Sequence, residues 1–527
     1  MRNEFLFSIG PVNLLIFICG YFLSPSFYSL YLFFVPITLL GFYDIIQKKH
    51  TILRNYPVLG HLRYLLEMVR PEIQQYFIEK DVDGKPFSRD QRSVIYQRSK
   101  GELDSAPFGT QYDLYQTGSE WLDHSLNATA ALDDGDPRVV VGNHQCSQPY
   151  SSSRYNISAM SYGALSKTAV MALNLGAKSG NFSQNTGEGG LAPYHLEKGG
   201  DLVWQIGTGY FGCRKPDGSF NEELFREKSQ KPQVKMIEIK LSQGAKPGHG
   251  GILPAVKVTE EIVAIRHVSK GQDVISPPWH TEFKSPVGLI DFIKRLRTLS
   301  NGKPIGIKLC IGKPSEFVSI CKAMIARDLY PDFITIDGAE GGTGAAPREF
   351  TNHMGTPLDD GLNFANNVLR GFGLRDKVTV IAAGKVIDGF SMVTKFALGA
   401  DICNSARGMM MAIGCIQALR CNSNQCPSGI ATQDPELYKL LDVEDKSKRV
   451  ALFHRRTISQ AKDLITAMGI SEITEIRKSH VKRRMDVGKI ASYEELYEEV
   501  ELGSFLDPET IPSNYKRFLA DASLERF

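Results

Sequence analysis

Hydrophobic residues at the start of the chain form two nearly unbroken runs. Residues 5–23 carry no charge, residues 27–46 carry only Asp44, and Ser-Pro-Ser separates the two runs. About twenty helical residues cross the roughly 30 Å hydrocarbon core of a membrane. The pattern therefore predicts a transmembrane helical hairpin over residues 1–50. A cleaved signal peptide is the alternative, but the apolar stretch is too long and lacks a small-residue cleavage site.

Basic residues follow the second run directly, at Lys48, Lys49, His50 and Arg54. The positive-inside rule places such a segment in the cytoplasm, so both ends of the hairpin are predicted to lie inside. The expected localisation is a membrane anchor with the catalytic domain on the cytoplasmic side. Residues 51–154 follow with weak periodicity and many Asp, Gly, Ser and Pro residues, which predicts an irregular lead-in packed on the main domain.

From residue 155 the pattern becomes regular, with short apolar runs separated by amphipathic segments. The runs are 156–160, 202–206, 236–241, 273–276, 305–310, 333–337, 378–382 and 402–404. The helical patterns are 167–178, 258–268, 287–299, 316–327, 362–369 and 390–398. This alternation predicts parallel strands with helical crossovers, an α/β fold of the (β/α)8 TIM-barrel type over residues 155–435. Residues 436–527 are predicted to form a C-terminal helical extension, in which the amphipathic segment 451–468 packs against the barrel.

Glycine-rich loops follow six of the predicted strands, at 161–164, 207–209, 244–251, 338–344, 383–385 and 405–408. Glycine lets backbone amides approach a flat or phosphorylated ligand, and the last two loops lie where barrels commonly bind phosphate. Simple turns are the alternative, but six such loops at one end of a barrel favour a planar phosphorylated cofactor such as FMN. Lys308 lies inside an apolar strand, where it suits the reduced flavin ring or an ion pair with an inward carboxylate.

Composition excludes some classes of protein. The 527 residues are 42% hydrophobic and 23% charged, as in an ordinary globular protein, and a net charge of +3 does not favour nucleic-acid binding. Nine scattered cysteines do not form a disulfide framework and indicate a reducing compartment. Three of them, Cys415, Cys421 and Cys426, lie within twelve residues of the loop 414–434. Three thiolates so close together in sequence favour an iron–sulfur cluster. Free thiols are the alternative, and a zinc site would need a fourth ligand nearby.

Six motifs together resemble one known family. They are SAMSYGALS (158–166), NTGEGG (185–190), QGAKPGHGG (243–251), ISPPWH (275–280), DGAEGGTGAAP (337–347) and GCIQALRCNSNQCPSGIATQD (414–434). In order and cysteine spacing, the chain from about 155 to 471 is similar to the FMN-binding synthase domain of glutamate synthase. The hairpin and the lack of a recognisable glutaminase segment resemble a compact, membrane-anchored branch.

The resemblance implies FMN on the barrel and a [3Fe–4S] cluster on Cys415, Cys421 and Cys426. It implies that 2-oxoglutarate is bound by Glu188, Lys246 and Arg266, each of which has a plain ion pair as its alternative. Two cations suit a dicarboxylate, and arginine can hold one carboxylate with two hydrogen bonds. The implied FMN contacts are Ala159, Met160, Ser161, Gln205, Lys308, Gly342, Thr343, Gly344, Gly384, Ser405, Ala406 and Arg407.

The implied reaction is reductive amination of 2-oxoglutarate, or a related 2-oxoacid, to glutamate by hydride transfer from reduced FMN to a 2-imino acid. Ammonia or a separate glutaminase is expected to supply nitrogen, and a ferredoxin-like or flavoprotein donor is expected to supply electrons. Two positions depart from the family pattern, since His249 and Ile252 stand where the family has Glu and Gln. This leaves two alternatives: an FMN oxidoreductase acting on a different 2-oxo or 2-hydroxy acid, or a membrane-tethered electron-transfer subunit.

Overall fold

The computed structural model describes residues 1–129 and 135–527. The chain divides into two compact units, Met1–Asp90 and Gln91–Phe527. These two units do not test the domain limits predicted from the sequence, which stay a prediction.

The α-helices and strands are numbered here in chain order. The helices are α1 (Arg2–Phe22), α2 (Tyr31–Ile46), α3 (Thr51–Asn55), α4 (Gly60–Ile73), α5 (Arg89–Lys100), α6 (Lys167–Gly180), α7 (Pro193–Leu196), α8 (Glu222–Ser229), α9 (Glu260–Arg266), α10 (Pro286–Leu299), α11 (Pro314–Arg327), α12 (Arg348–His353), α13 (Leu358–Gly371), α14 (Gly389–Ala397), α15 (Arg407–Ala412), α16 (Pro435–Tyr438), α17 (Val443–Ala467), α18 (Tyr493–Leu496) and α19 (Ser513–Asp521). The strands are β1 (Glu120–Leu122), β2 (Arg138–Val141), β3 (Tyr150–Ser153), β4 (Tyr155–Ile157), β5 (Ser183–Asn185), β6 (Asp201–Ile206), β7 (Val234–Lys240), β8 (Ile252–Leu253), β9 (Val274–Ile275), β10 (Ile305–Leu309), β11 (Phe333–Asp337), β12 (Thr379–Ala383), β13 (Ile402–Ser405), β14 (Val481–Asp486) and β15 (Lys489–Ser492).

Two apolar helical stretches dominate the first unit. Arg2–Phe22 and Pro25–Ile46 are long and apolar enough to cross a membrane, judged by length and composition. Their side chains are mostly exposed, as with Phe7 and Leu32, which are 80% and 84% exposed. Polar contacts join the two stretches, because Tyr31 donates to the Asn13 carbonyl at 2.7 Å and Asn13 Nδ2 donates to Thr38 Oγ1 at 3.1 Å.

Eight parallel strands of the described chain close into a barrel, which confirms the predicted α/β architecture. The order around the barrel is β4, β5, β6, β7, β10, β11, β12 and β13, and β13 pairs with β4 to close it. Strands β10 and β11 are fully buried, and β7 is buried except at Lys235. Parallel strands covered by helices on the outside are apolar on both faces, which explains why these segments read as continuous apolar runs.

One predicted barrel strand is wrong. Residues 273–276 lie outside the barrel, where β9 pairs antiparallel with β8. The barrel instead takes β5, whose sequence is Ser-Gln-Asn and which pairs with β4 and β6. This strand has no apolar residue, and two of its three side chains are paired inside the barrel: Ser183 donates to Asn156 Oδ1 and Asn185 donates to Glu238 Oε1. A search for apolar runs cannot find such a strand.

Other segments cover the barrel. The β2–β3 hairpin brings Val141 and Tyr150 into one buried cluster with Val203, Met236 and Phe333 from the barrel strands. Helix α17 confirms the predicted amphipathic helix at 451–468, and its Val450 packs on Gly176 of α6, where a Cβ would come within 2.6 Å. Close helix packing of this kind needs a small residue at the contact. In the last part of the chain, β14 lies between β1 and β15 in a small antiparallel sheet.

Candidate active site

Four charged side chains meet at the carboxyl ends of neighbouring barrel strands. Glu188 follows β5, Lys240 ends β7, Lys246 lies in the next loop, and Arg266 ends α9. Lys240 Nζ lies 2.9 Å from Glu188 Oε1, and both side chains are largely buried. Glu188 also feels the charges of Lys246 and Arg266. The structure therefore brings together the three residues that the sequence assigned to substrate binding, and it adds Lys240.

The charges at this site change the acidity of one another. Burial alone raises the pKa of Glu188, but Lys240, Lys246 and Arg266 outweigh it, so the net pKa is lowered. Burial lowers the pKa of Lys246 to about 8 and that of Arg266 to about 10, although Glu188 opposes both shifts. A buried carboxylate held ionised by surrounding cations is a pattern found at functional sites.

Backbone carbonyls and small residues hold these groups in place. Arg266 donates from Nη2 to the Tyr162 carbonyl at 2.7 Å and lies 5.2 Å from the centre of the Phe211 ring. Lys246 donates to the Ala345 carbonyl at 2.6 Å. A Cβ on Gly251 would lie 2.1 Å from Glu188 Oε1, so the loop after β7 needs glycine for this close approach.

A narrow cleft opens beside Glu188. Its lining residues are Glu188, Thr208, Lys240, Leu241, Ser242, Gly248, His249, Gly250, Gly251, Pro277 and Pro278. His249 contacts the Phe350 ring edge-to-face at 5.2 Å, and Ile252 is half-buried in β8 opposite Ile275. Both departures from the family pattern thus lie on the loop and strand that border the cleft.

Lys308 lies in the barrel interior near this cleft. Its Nζ is 3.4 Å from Asp337 Oδ2, which is the ion pair considered as the alternative to a cofactor contact. Burial opposes its charge, but Asp337 and Glu238 outweigh burial and raise the pKa of Lys308. Glu238 accepts hydrogen bonds from Asn185, Gln205 and Thr335 at 2.7–2.8 Å. Gln205 therefore contributes its amide to this interior network.

The other residues assigned to FMN lie in the loops after β4, β11 and β12 and at the junction of β13 with α15. Ser158 N donates to the Ser405 carbonyl at 3.0 Å, which joins the segment of Ala159, Met160 and Ser161 to the end of β13. Gly342, Thr343 and Gly344 are exposed, and a Cβ on Gly342 would lie 2.8 Å from Arg407 Nε. Gly384, with φ +148°, follows β12, and Ala406 precedes α15. These residues thus surround one side of the barrel mouth.

Three buried residues were missed by the sequence analysis. Lys240 and Glu238 alternate with isoleucines in the MIEIK run of β7, and that alternation of charge inside an apolar strand was the available signal. His280 lies in the ISPPWH motif, with Nε2 2.9 Å from the Lys240 carbonyl and Nδ1 3.0 Å from the Tyr210 hydroxyl. Burial lowers the pKa of His280 to about 4, so the ring is neutral at pH 7.

The cysteine loop forms a second candidate site. Cys426 is buried, and Cys415 and Cys421 are half-buried. Burial and then the fields of Cys421 and Cys426 raise the pKa of Cys415 to about 12, which shows that the three sulfurs lie within electrostatic reach of one another. Across residues 1–129 and 135–527, no group of three or more His, Cys, Asp or Glu side chains is arranged as a ready metal site.

A buried lysine lies beside these cysteines. Lys257 donates to the carbonyls of Ala431 at 2.7 Å and Ala164 at 3.1 Å, and so ties the loop after β4 to the end of the cysteine loop. Negative charge on Cys421 and Cys426 favours the charged form of Lys257. A cation at this place matches an anionic group held by the thiols.

The fold and this site define a (β/α)8-barrel protein that concentrates cations around one buried carboxylate at its carboxyl-terminal mouth. A family model, described as the conserved region in glutamate synthase, matches residues 106–471. The chain belongs to the glutamate synthase family, whose class is that of oxidoreductases acting on CH–NH2 donors.

Relatives extend over different shares of the chain. The glutamate synthase large subunit-like protein YerD of Bacillus subtilis is 38% identical over 504 residues, covering 88% of this chain and 96% of YerD. The archaeal glutamate synthase [NADPH] of Methanocaldococcus jannaschii is 35% identical over 329 residues, covering 62% of this chain. The match spans 61% of that archaeal protein.

Solved structures show only distant likeness. A mutant flavocytochrome b2 with benzoylformate has a TM-score of 0.42 at 12% identity, covering 83% of this chain and 90% of its own. A mandelate oxidase mutant with benzaldehyde has a TM-score of 0.41 at 12% identity, covering 81% of this chain and 98% of its own. The barrel is therefore defined by its own strand pairing.

Proposed function

We propose that the protein is an FMN- and iron–sulfur-dependent oxidoreductase of the glutamate synthase type. It reductively aminates 2-oxoglutarate, or a related 2-oxoacid, to glutamate. The observation that carries this proposal is the buried Glu188 carboxylate with three cations around it at the barrel mouth. An anionic substrate gains from preorganised cations there, because burial weakens their screening by water.

Each charged residue has a distinct task in this proposal. Lys246 and Arg266 hold the carboxylates of the 2-oxoacid, and Lys240 fixes Glu188 through the 2.9 Å ion pair. Ammonia condenses with the keto carbon and water leaves, which produces a cationic or neutral imine. Glu188 orients the imine nitrogen as a carboxylate, since its lowered pKa disfavours the protonated form that a proton donor needs.

The residues at the barrel mouth fit FMN. The glycine-rich loop at 342–344 is exposed, Arg407 places positive charge next to it, and Lys308 adds positive charge in the barrel interior. Ala159, Met160, Ser161, Gln205, Thr343, Gly384, Ser405 and Ala406 complete the proposed contacts. FMN, when bound, would supply the two-electron reduction of the imino carbon, and an iron–sulfur cluster would supply electrons one at a time.

The cysteine loop fits a [3Fe–4S] cluster by the chemistry of its donors. Cys415, Cys421 and Cys426 are soft ligands within one loop, and Lys257 provides a nearby positive charge. The raised pKa values of Cys415 and Cys421 mean that these two thiols are protonated without metal, and iron binding would release their protons. The partners required are ammonia or a separate glutaminase, and an external ferredoxin-like or flavoprotein electron donor.

The localisation proposed is a membrane anchor formed by Arg2–Phe22 and Pro25–Ile46, with the barrel on the cytoplasmic side. The lysines at 48 and 49 support this orientation. In this proposal the chain belongs to a membrane-anchored branch of its family.

The function is tested with purified full-length protein supplied with 2-oxoglutarate, ammonium and a chemical reductant. We expect glutamate to form in proportion to the enzyme, with flavin and iron present in the same preparation. Intact cofactors without glutamate would favour a second function, oxidoreduction of a different 2-oxo or 2-hydroxy acid. Ile252 favours that second function, since it removes an amide from the border of the cleft.

Replacing Ile252 by glutamine tests the substrate directly. An added amide donor should lower the KM for 2-oxoglutarate about tenfold, because a site that can hydrogen-bond a polar group discriminates strongly for it. Steady-state kinetics with 2-oxoglutarate measure the change. Ile275→Gln, at the cross-strand partner position, is the matched control and should leave KM unchanged. Equal kinetics for Ile252→Gln and wild type would contradict the proposed role of position 252 in recognising the 2-oxoacid.

The pH dependence of substrate binding tests Lys246. Its pKa of about 8 means that the ammonium loses its charge above that pH, while Glu188 stays ionised. The affinity for 2-oxoglutarate should therefore be full below about pH 8 and fall by roughly tenfold per pH unit above it. Calorimetric Kd values without ammonium measure this, because ammonium itself titrates in the same range. The Lys246→Arg variant keeps its positive charge at high pH, so its affinity should not fall above about pH 8. If the fall persisted in this variant, another group would be responsible for it.

A further inference from the structure

The helix that follows the two apolar stretches carries a second, different apolar surface. Helix α4 continues through a π-helical turn, Gln74–Ile78, and both belong to the first compact unit. We define the apolar stripe as Leu62, Leu65, Leu66, Ile73 and Phe77, which share one side of the helix by their spacing. Leu66 is 54% exposed and Phe77 is 84% exposed.

One flank of the same helix is polar. Arg63, Glu67, Arg70 and Gln74 lie there at intervals of three and four residues, and all are exposed. Glu67 and Arg70 approach to 3.9 Å across solvent. The segment is therefore amphipathic but far too polar to span a bilayer. This combination is typical of a helix lying in the plane of a membrane surface.

A buried carboxylate ties this helix to the end of the second apolar stretch. Asp44 is fully buried in the last turn of α2, and His61 Nε2 lies 2.8 Å from its Oδ1. The Val58 amide donates to Asp44 Oδ2 at 2.9 Å. Because α2 ends at Ile46, the start of α4 is held beside the end of the second apolar stretch. In the proposed anchorage, that is the level where the hairpin leaves the hydrocarbon core.

The charge around the stripe selects the kind of lipid. Residues 47–78 contain five basic residues (Lys48, Lys49, Arg54, Arg63 and Arg70) and two acidic residues (Glu67 and Glu72). Tyr64, Tyr76 and Phe77 add aromatic rings, which favour the boundary between headgroups and acyl chains. Anionic headgroups attract such a segment, and the attraction acts only within a short distance of the surface.

We propose that residues 60–78 form a membrane-surface helix that inserts its apolar stripe into an anionic lipid leaflet next to the hairpin. This inference rests on the proposed membrane anchorage and extends it from two spans to a three-part module. The occupant of the stripe is lipid because the stripe continues from a membrane anchor, and because residues 47–59 just before it carry three basic and no acidic residues.

The test uses the full chain in vesicles of phosphatidylcholine and phosphatidylglycerol, with either ordinary or brominated acyl chains. Leu66→Trp places a fluorophore in the stripe, and Glu67→Trp places one on the polar side as the matched control. Bromine quenches tryptophan only at contact range, and wild-type protein corrects for the three native tryptophans. We expect brominated lipid to quench the Leu66→Trp signal by roughly half and the Glu67→Trp signal little.

Other outcomes separate the other occupants of the stripe. Leu66→Trp fluorescence insensitive to both brominated lipid and aqueous acrylamide would mean that protein covers the stripe, and quenching by acrylamide alone would mean that water does. Either result overturns the inference. Retention of the protein on vesicles after alkaline carbonate washing reads the anchorage separately, and glutamate formation reads the proposed activity. Equal quenching in vesicles without phosphatidylglycerol would overturn the anionic part of the inference.

Discussion

Glu188→Gln is expected to reduce glutamate formation about 100-fold or more, with flavin content unchanged. The amide keeps the size of the carboxylate but removes its charge, so Lys240, Lys246 and Arg266 lose their common partner. Burying cations without that partner is unfavourable, and the imine nitrogen loses the group that orients it. Measuring kcat/KM for 2-oxoglutarate at saturating ammonium gives the effect.

Two controls separate chemistry from folding in this experiment. Glu260→Gln changes an exposed carboxylate at the start of α9 that pairs with Lys270, and it should retain full activity. A thermal unfolding curve of Glu188→Gln shows whether loss of the buried pair also lowers stability, by about 3–5 kcal/mol for such pairs. An active Glu188→Gln enzyme, within twofold of wild type, would contradict the central part of the proposed function.

Cys426→Ala is expected to abolish iron binding and donor-dependent turnover together. Three thiolates are needed to hold a [3Fe–4S] cluster, so the loss of one buried ligand leaves an open, unstable site. Iron analysis and low-temperature electron paramagnetic resonance measure the cluster, and a flavin spectrum shows that the barrel is intact. Turnover with the external donor should fall to background while the FMN content stays at the wild-type level.

Cys321→Ala is the matched control for that substitution. Cys321 is also buried, but it lies in α11 and packs away from the cysteine loop. Its replacement should leave iron and turnover unchanged. If Cys426→Ala kept its iron, the cysteine loop would not be the cluster site, whereas loss of iron from both variants would point to general instability.

The sequence and the structure agree on the barrel for a clear physical reason. Most positions of buried parallel strands are apolar, so these strands appear as apolar runs in the sequence even where β7 and β10 carry Glu238, Lys240 and Lys308. The exceptions follow from the same reason. Strand β5 pairs Ser183 and Asn185 by hydrogen bonds inside the barrel, and the apolar pair at 274–275 is used in a two-stranded antiparallel sheet beside the cleft.

The candidate site divides in a similar way. Its residue types could be proposed from sequence because Glu188 and Lys246 stand within motifs shared by a family, Arg266 matches a position of that family, and the cysteines lie in one short loop. The partners of those residues could not be predicted from sequence. Lys240 reaches Glu188 only because the barrel places β5 and β7 on either side of β6. The same holds for Lys257, whose two carbonyl partners come from loops far apart in the chain.

By itself the sequence determined the class of fold, the two membrane-length helices, the family and the kinds of side chain available for chemistry. Periodicity and local composition contain this information, because burial and chain geometry act residue by residue along each element. Tertiary structure alone decided which strand completes the barrel, which cation fixes the carboxylate, and where the helix after the hairpin is tied. These depend on contacts between distant segments, whose distances and charges exist only once the chain has folded.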